Sequence, residues 1–236
     1  MKRTLVTSIL LISVFAAKAQ PTFGVHANAI MVSTTNEADG DELNFKNRIS
    51  WKVGGIANIP ISETFSFMPQ LNLLSKGGKI EESKVIDFMG ESVRIDIEGN
   101  VKLLYLELPL NVVYNRLGET GNFFVGAGPS LSYGLTGEVD GKSTFSILGE
   151  SESEPFNYKV KFDGDEDPDP DDEDAHLKAL EVGVNVLAGY QLSNGLFIKA
   201  NFNQGLSNIS PDEGTKSKSR YFGIGIGYFF GANSRY

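Results

Sequence analysis

The chain has 236 residues, no cysteine and a formal net charge of −9. Disulfide staples, cysteine-based zinc sites and a lipid-anchored lipoprotein, which needs a cysteine where it is processed, are thereby excluded. Nine of the negative charges fall within Asp163–Asp174 alone, so the acidity is one local tract, and no basic stripe of the kind nucleic acid requires is present.

Met1-Lys2-Arg3 is basic, Leu5–Ala17 is apolar, and Ala17-Lys18-Ala19 has the small-x-small form of a processing site. This anatomy predicts a signal peptide over residues 1–19, cleaved near Ala19/Gln20, with residues 20–236 as a single domain. The apolar run is too short for a membrane helix, which needs about 20 such residues.

Downstream, eight segments alternate apolar and polar side chains, roughly Thr22–Ser33, Ile49–Ile59, Thr64–Leu74, Val101–Tyr114, Asn122–Gly134, Leu177–Leu192, Leu196–Leu206 and Arg220–Phe230. In the fourth, Leu104, Leu106, Leu108, Leu110, Val112 and Tyr114 share one face, while Tyr105, Glu107, Pro109 and Asn111 share the other. Side chains in a strand switch faces at each residue, so each segment predicts a strand with one apolar and one polar side. Their length suits a tilted bilayer crossing of about 9–11 residues better than a soluble strand of about 5–6. Links of two sizes alternate strictly. Residues 60–63, 115–121 and 193–195 are short turns, whereas 34–48, 75–100, 135–176 and 207–219 are long polar loops, the third of them acidic. The fold class expected is all-β: a closed, eight-stranded, antiparallel up-and-down transmembrane β-barrel in an outer membrane, whose lipid it contacts.

Phe65, Tyr114, Phe123, Tyr190, Tyr228 and Phe230 lie on the apolar register at strand ends beside the short turns or the carboxyl terminus, as an interfacial girdle requires. Gly24, Gly54, Gly126, Gly128, Gly183, Gly189, Gly223, Gly225 and Gly227 occupy the opposite register, where a narrow eight-strand lumen demands small residues. A luminal polar network of Lys52, Glu107, Asn111, Glu181, Asn185, Lys199 and Asn201 shares that space, along with His26, Asn28, Asn58, Gln70, Asn72 and Asn203. Its two acids and two lysines are expected to pair, because a lone buried charge is very costly. A plugged core follows, not an open pore.

Chemical motifs are sparse. Gly137–Ser143 falls one residue short of the phosphate-loop spacing and no helix start follows it, so nucleotide binding is not expected. With only His26 and His176 available, no Ser-His-acid arrangement emerges, and neither catalytic residues nor a cofactor are predicted. Asp163, Asp165, Asp167, Asp169 and Asp171 offer oxygen ligands for Ca²⁺, but Pro168 stands where an EF-hand loop needs Gly and Asp174 where it needs Glu. A solvated, self-repelling loop tip is the reading taken, with Ca²⁺ ligation as its alternative.

Tyr105-Leu-Glu-Leu-Pro-Leu-Asn-Val-Val-Tyr114 and Phe124-Val-Gly-Ala-Gly-Pro-Ser-Leu-Ser-Tyr133 resemble the central strand pair of PorT-like outer-membrane β-barrel proteins. Phe197–Gly205 and Tyr221–Phe230 are similar to that family's last hairpin. The resemblance implies an eight-strand outer-membrane barrel, no catalytic residues, and, for some members, assembly of a protein secretion system. The expected function is therefore a non-enzymatic structural or interaction role, with an envelope or secretion-system protein as partner. Small-solute transport or ligand binding by the barrel is the alternative.

Overall fold

The computed structural model describes residues 20–38, 41–44, 46–88, 91–148, 150–165, 174–212 and 214–231. The expected signal segment, residues 1–19, lies outside the described residues. The strands are β1 (Thr22–Ala38), β2 (Asp41–Asn44), β3 (Arg48–Pro60), β4 (Phe65–Phe88), β5 (Glu91–Leu117), β6 (Gly121–Ile147), β7 (Glu150–Lys161), β8 (Ala175–His176), β9 (Leu180–Leu192), β10 (Leu196–Gly205) and β11 (Thr215–Phe229). Eight of them form the ring β1-β3-β4-β5-β6-β9-β10-β11, each antiparallel to its neighbours, and β1 closes it on β11 from Gly24↔Phe229 to Ala38↔Thr215. Closure leaves no open sheet edge at bilayer level, so the strands satisfy their backbone polar groups against one another and not against water.

Short turns gather at one end. Gly195 takes a φ of +91° and its N–H donates to the Leu192 carbonyl at 2.9 Å, while the Asn194 side chain accepts from the Leu196 N–H at 3.0 Å. That left-handed position suits glycine, and the neighbouring Asn stabilises the turn through its own carboxamide.

Apolar and polar faces separate as the register dictates. On β5, Leu106, Leu108, Val112 and Tyr114 are exposed on the outer wall, whereas Tyr105, Glu107, Asn111 and Val113 are buried within. The apolar outer-wall run from Leu104 to Tyr114 is bounded by Lys102 and Arg116. At about 3.3 Å per residue and a tilt near 40°, it spans about 25 Å, the height of a barrel's lipid-facing band. Phe65, Tyr114, Phe123, Tyr228 and Phe230 are exposed on the same wall, and Phe65 meets Tyr114 edge-on at 5.6 Å.

The opposite end departs from expectation. Much of 75–100 and 135–176, read as loops, is strand. β4 and β5 stay paired as far as Phe88↔Glu91, and β6 continues to Ile147 and folds back as β7. The missing signal was alternation of β-branched residues: Val93, Ile95 and Ile97 are polar-spaced at period two, Val101 shares their face, and Ile80 and Ile86 share one face of the preceding strand. A four-stranded sheet, β4-β5-β6-β7, thus projects beyond the barrel. Where it begins, Tyr105 pairs with Gly134 but Leu104 pairs with Thr136, so Leu135 is an extra residue that shifts which parity of β6 faces inward.

Candidate functional site: the filled lumen

The lumen is built in three layers. Nearest the short turns, Ile56, Met68, Val113, Phe124, Leu187, Phe197 and Phe229 form a buried apolar cluster. Phe197 lies 4.8 Å from Phe229 and 6.3 Å from Phe124, centroid to centroid. Facing glycines make room for these rings: a β-carbon at Gly227 would sit 2.3 Å from the Phe197 ring, and one at Gly189 would sit 2.3 Å from that of Phe124. Polar-register glycine was legible in the sequence, but its ring partners were not.

The middle layer is polar and buried. Tyr221 donates its hydroxyl to both Glu107 oxygens at 2.8 and 2.9 Å, and Asn72 donates to Glu107 Oε2 at 3.2 Å. Lys52 Nζ donates to the Tyr221 oxygen at 3.1 Å and lies 4.7 Å over its ring. Lys199 Nζ donates to Gln70 at 2.7 Å, Asn185 to Asn111 at 2.9 Å, Asn28 to Asn201 at 3.1 Å, and Asn203 to Ser130 at 2.7 Å. His26 Nδ1 and Asn28 Oδ1 are 2.8 Å apart. An ion pair also bridges the lumen, Lys76 Nζ to Glu181 Oε2 at 2.8 Å, both side chains 2 % exposed. Ser219 donates to the other Glu181 oxygen at 2.6 Å, and Lys76 also reaches Ser132 at 3.1 Å.

The anticipated pairing of two acids with two lysines is therefore corrected. Among the described residues no ion pair joins Lys52 or Lys199 to Glu107 or Glu181. The Tyr221 phenol stands between Lys52 and Glu107, and the partner of Glu181 is Lys76, a residue assigned to a loop. Both had a signal. Lys76 continues the inward alternation of Gln70, Asn72 and Leu74, and Tyr221 continues that of Gly223, Gly225 and Gly227.

A second apolar layer closes the outer mouth. Ile30, Val32, Leu74, Leu103, Tyr105, Val160 and Tyr221 cluster there, with Phe162 and Leu177 packed against them. Phe162 meets Tyr105 edge-on at 5.3 Å and covers Gly134, whose β-carbon would lie 2.2 Å from the ring. Backbone bonds from Leu177 to Lys161 (2.9 Å), Gly164 to Leu177 (3.1 Å) and Lys178 to Ile209 (2.8 Å) tie the covering segments together.

Of the Ca²⁺ candidates, Asp163 and Asp165 are described, whereas Asp167, Asp169 and Asp171 lie outside the described residues. Asp163 Oδ1 meets His176 Nδ1 at 2.8 Å, and this hydrogen bond holds the Asp163 carboxyl below its usual range. Among the described residues no three His, Asp or Glu side chains are grouped to hold a metal.

A closed ring with an apolar outer wall and a filled interior defines an integral β-barrel membrane protein. The family model for the outer membrane protein beta-barrel domain matches residues 16–210, and the chain belongs to that family. It is an outer-membrane β-barrel protein whose wall contacts membrane lipid. No curated protein matches it. Ail, the attachment invasion locus protein of Yersinia pestis, solved in complex with the heparin analogue sucrose octasulfate, is 17 % identical with a TM-score of 0.37, over 89 % of this chain and 99 % of that one. Neisserial surface protein A is 10 % identical at a TM-score of 0.37, over 87 % and 96 % of the two chains. CarO2 of Acinetobacter baumannii is 11 % identical at 0.32, over 86 % and 99 %.

Proposed function

We propose that this protein is a non-enzymatic outer-membrane barrel, sealed through its lumen, that presents its long outer hairpins to a partner. The supporting observation is the three-layer interior. Ring side chains stopper the lumen at the short-turn end, a hydrogen-bonded belt with a bridging ion pair fills the middle, and Phe162 and Tyr105 close the outer mouth. Conduction of ions needs a wet path, and eight strands leave a bore that side chains just fill. Binding is then the task left to the outer sheet. The likeness of Tyr105–Tyr114 and Phe124–Tyr133 to PorT-like barrels supports a partner in the envelope or a secretion apparatus.

Residues 1–19 act in this reading as the export signal, removed near Ala19/Gln20, and residues 20–236 form one domain. The inward set Lys52, Glu107, Asn111, Glu181, Asn185, Lys199 and Asn201 serves to seal the barrel and not to bind a substrate. Planar-bilayer recording tests this directly. The purified protein is expected to insert silently, and steady nanosiemens-scale openings would overturn the sealed reading in favour of transport. Crosslinking in the native membrane followed by co-purification is expected to recover an envelope or secretion-apparatus protein.

A further inference from the structure

The projecting sheet reverses the polarity of the barrel below it. On β5 the odd positions that face the lumen at Leu103 and Tyr105 continue outward as Val101, Gly99, Ile97, Ile95 and Val93. Register places Glu82, Ser143 and Glu154 in line with Ile97, and Lys84, Phe145 and Glu152 in line with Ile95. Ile86 lies across from Val93, and Ile147 across from Glu150. This inward-continuing face is an apolar strip of Ile86, Val93, Ile95, Ile97, Phe145 and Ile147, bordered on β7 by Glu150, Glu152 and Glu154. Val101 and Val139, at its base, are packed against the mouth cluster. Above them Ile86, Phe145 and Ile147 remain 39–44 % exposed.

The two faces differ in how their charges are satisfied. On the opposite face Lys102 pairs with Glu138 and Asp140, Lys142 with Glu98, Arg94 with Asp96, and Lys46 with Glu81. Glu150, Glu152 and Glu154 make no ion pair among the described residues, and with Glu82 and Lys84 they leave the apolar face net negative. Sheets with an apolar face bury it against another layer. Sign decides which layer. A second copy of this chain would bring a like row of acids, the acidic tract 163–174 carries the same charge, and so do the phosphates of surface glycolipid.

We propose that this face receives a cationic amphipathic helix of a partner polypeptide. Its apolar stripe covers Val93, Ile95, Ile97 and Phe145, while lysine or arginine on its flank meets Glu150, Glu152 and Glu154. The fit is dimensional as well as electrostatic: a helix is about 10–12 Å across, and the strip from β4 to β6 spans two interstrand spacings, about 10 Å. The inference rests on the interaction reading above and names the chemistry of the partner.

Its test uses the full chain in zwitterionic nanodiscs and a labelled leucine/lysine peptide of helical period, followed by fluorescence anisotropy against empty discs. Saturable binding is expected, with none for the same peptide carrying glutamate in place of lysine. The E150Q/E152Q/E154Q variant is expected to bind about tenfold more weakly, as loss of three rim charge pairs implies. Ile147→Ser should also weaken binding, and Glu98→Gln on the opposite face should not. Equal binding by the triple variant, self-association through this face, or glycolipid binding to it would overturn the proposal. Silent bilayers without peptide binding would remove this inference alone, whereas nanosiemens openings would remove the sealed-barrel reading whatever the peptide does.

Discussion

Lys76 and Glu181 sit across a buried lumen with two hydroxyls completing their shell, so neither charge can find water once its partner is gone. Removing one member of such a pair typically costs about 3–5 kcal/mol, whereas replacing both with apolar side chains is often neutral. Lys76→Met should therefore lower stability by about 3–5 kcal/mol, and the Lys76→Met/Glu181→Leu double variant should recover most of it in urea unfolding from liposomes. Gly227 makes a complementary case. Val in its place would drive a side chain into Phe197 and the Val25 carbonyl, so Gly227→Val should cost about 1–3 kcal/mol by overpacking, read in the same assay. Both residues show what a sequence can and cannot carry. Alternation placed Gly227 inside the barrel, but which ring it admits depends on a strand thirty residues away. Lys76 is hidden in the sequence because a lysine beside Gly77-Gly78 resembles a turn, although the strand pairing continues through Gly77, whose φ is +115°.

Among elements, β5 carries the clearest record of its surroundings. Its outer wall is leucine at four successive exposed-register positions, and its inner wall changes from apolar to polar and back as it passes through the layers. Leu108 stands near the middle of the Leu104–Tyr114 band. Arginine there should hinder insertion by about 2–4 kcal/mol, checked by folding yield into liposomes, while the same change at exposed Leu148, in the outer β6–β7 turn, should have no such effect. The short turns were legible because Asn-Gly and Pro-Ile-Ser announce themselves locally. The outer hairpins were not, since Ser, Glu, Lys and Gly are common to solvated loops and to strands with one wet face. Only the isoleucines at alternate positions distinguished the two, and they were outnumbered.

At the scale of the whole molecule, one chain solves three solvent problems with a single pattern. In the bilayer apolar side chains point out and polar ones in. At both lumen ends rings and aliphatic groups point in. Beyond the bilayer a bulge at Leu135 and a change of composition turn the sheet polar on its outer side. Fold class and facing followed from periodicity, whereas the layering inside depends on contacts between distant strands that period-two alternation does not encode. The chain's single tryptophan offers a probe without mutation. Trp51 is 44 % exposed on the outer wall of β3, one outward-facing pair short of the exposed Met31 and Ile49 that end the apolar run on β1 and β3. Its fluorescence in vesicles should be quenched by brominated lipid, more by bromines near the headgroup than by those deep in the acyl chain, and little by aqueous iodide. Efficient iodide quenching with no response to brominated lipid would contradict the lipid-facing wall on which the account depends.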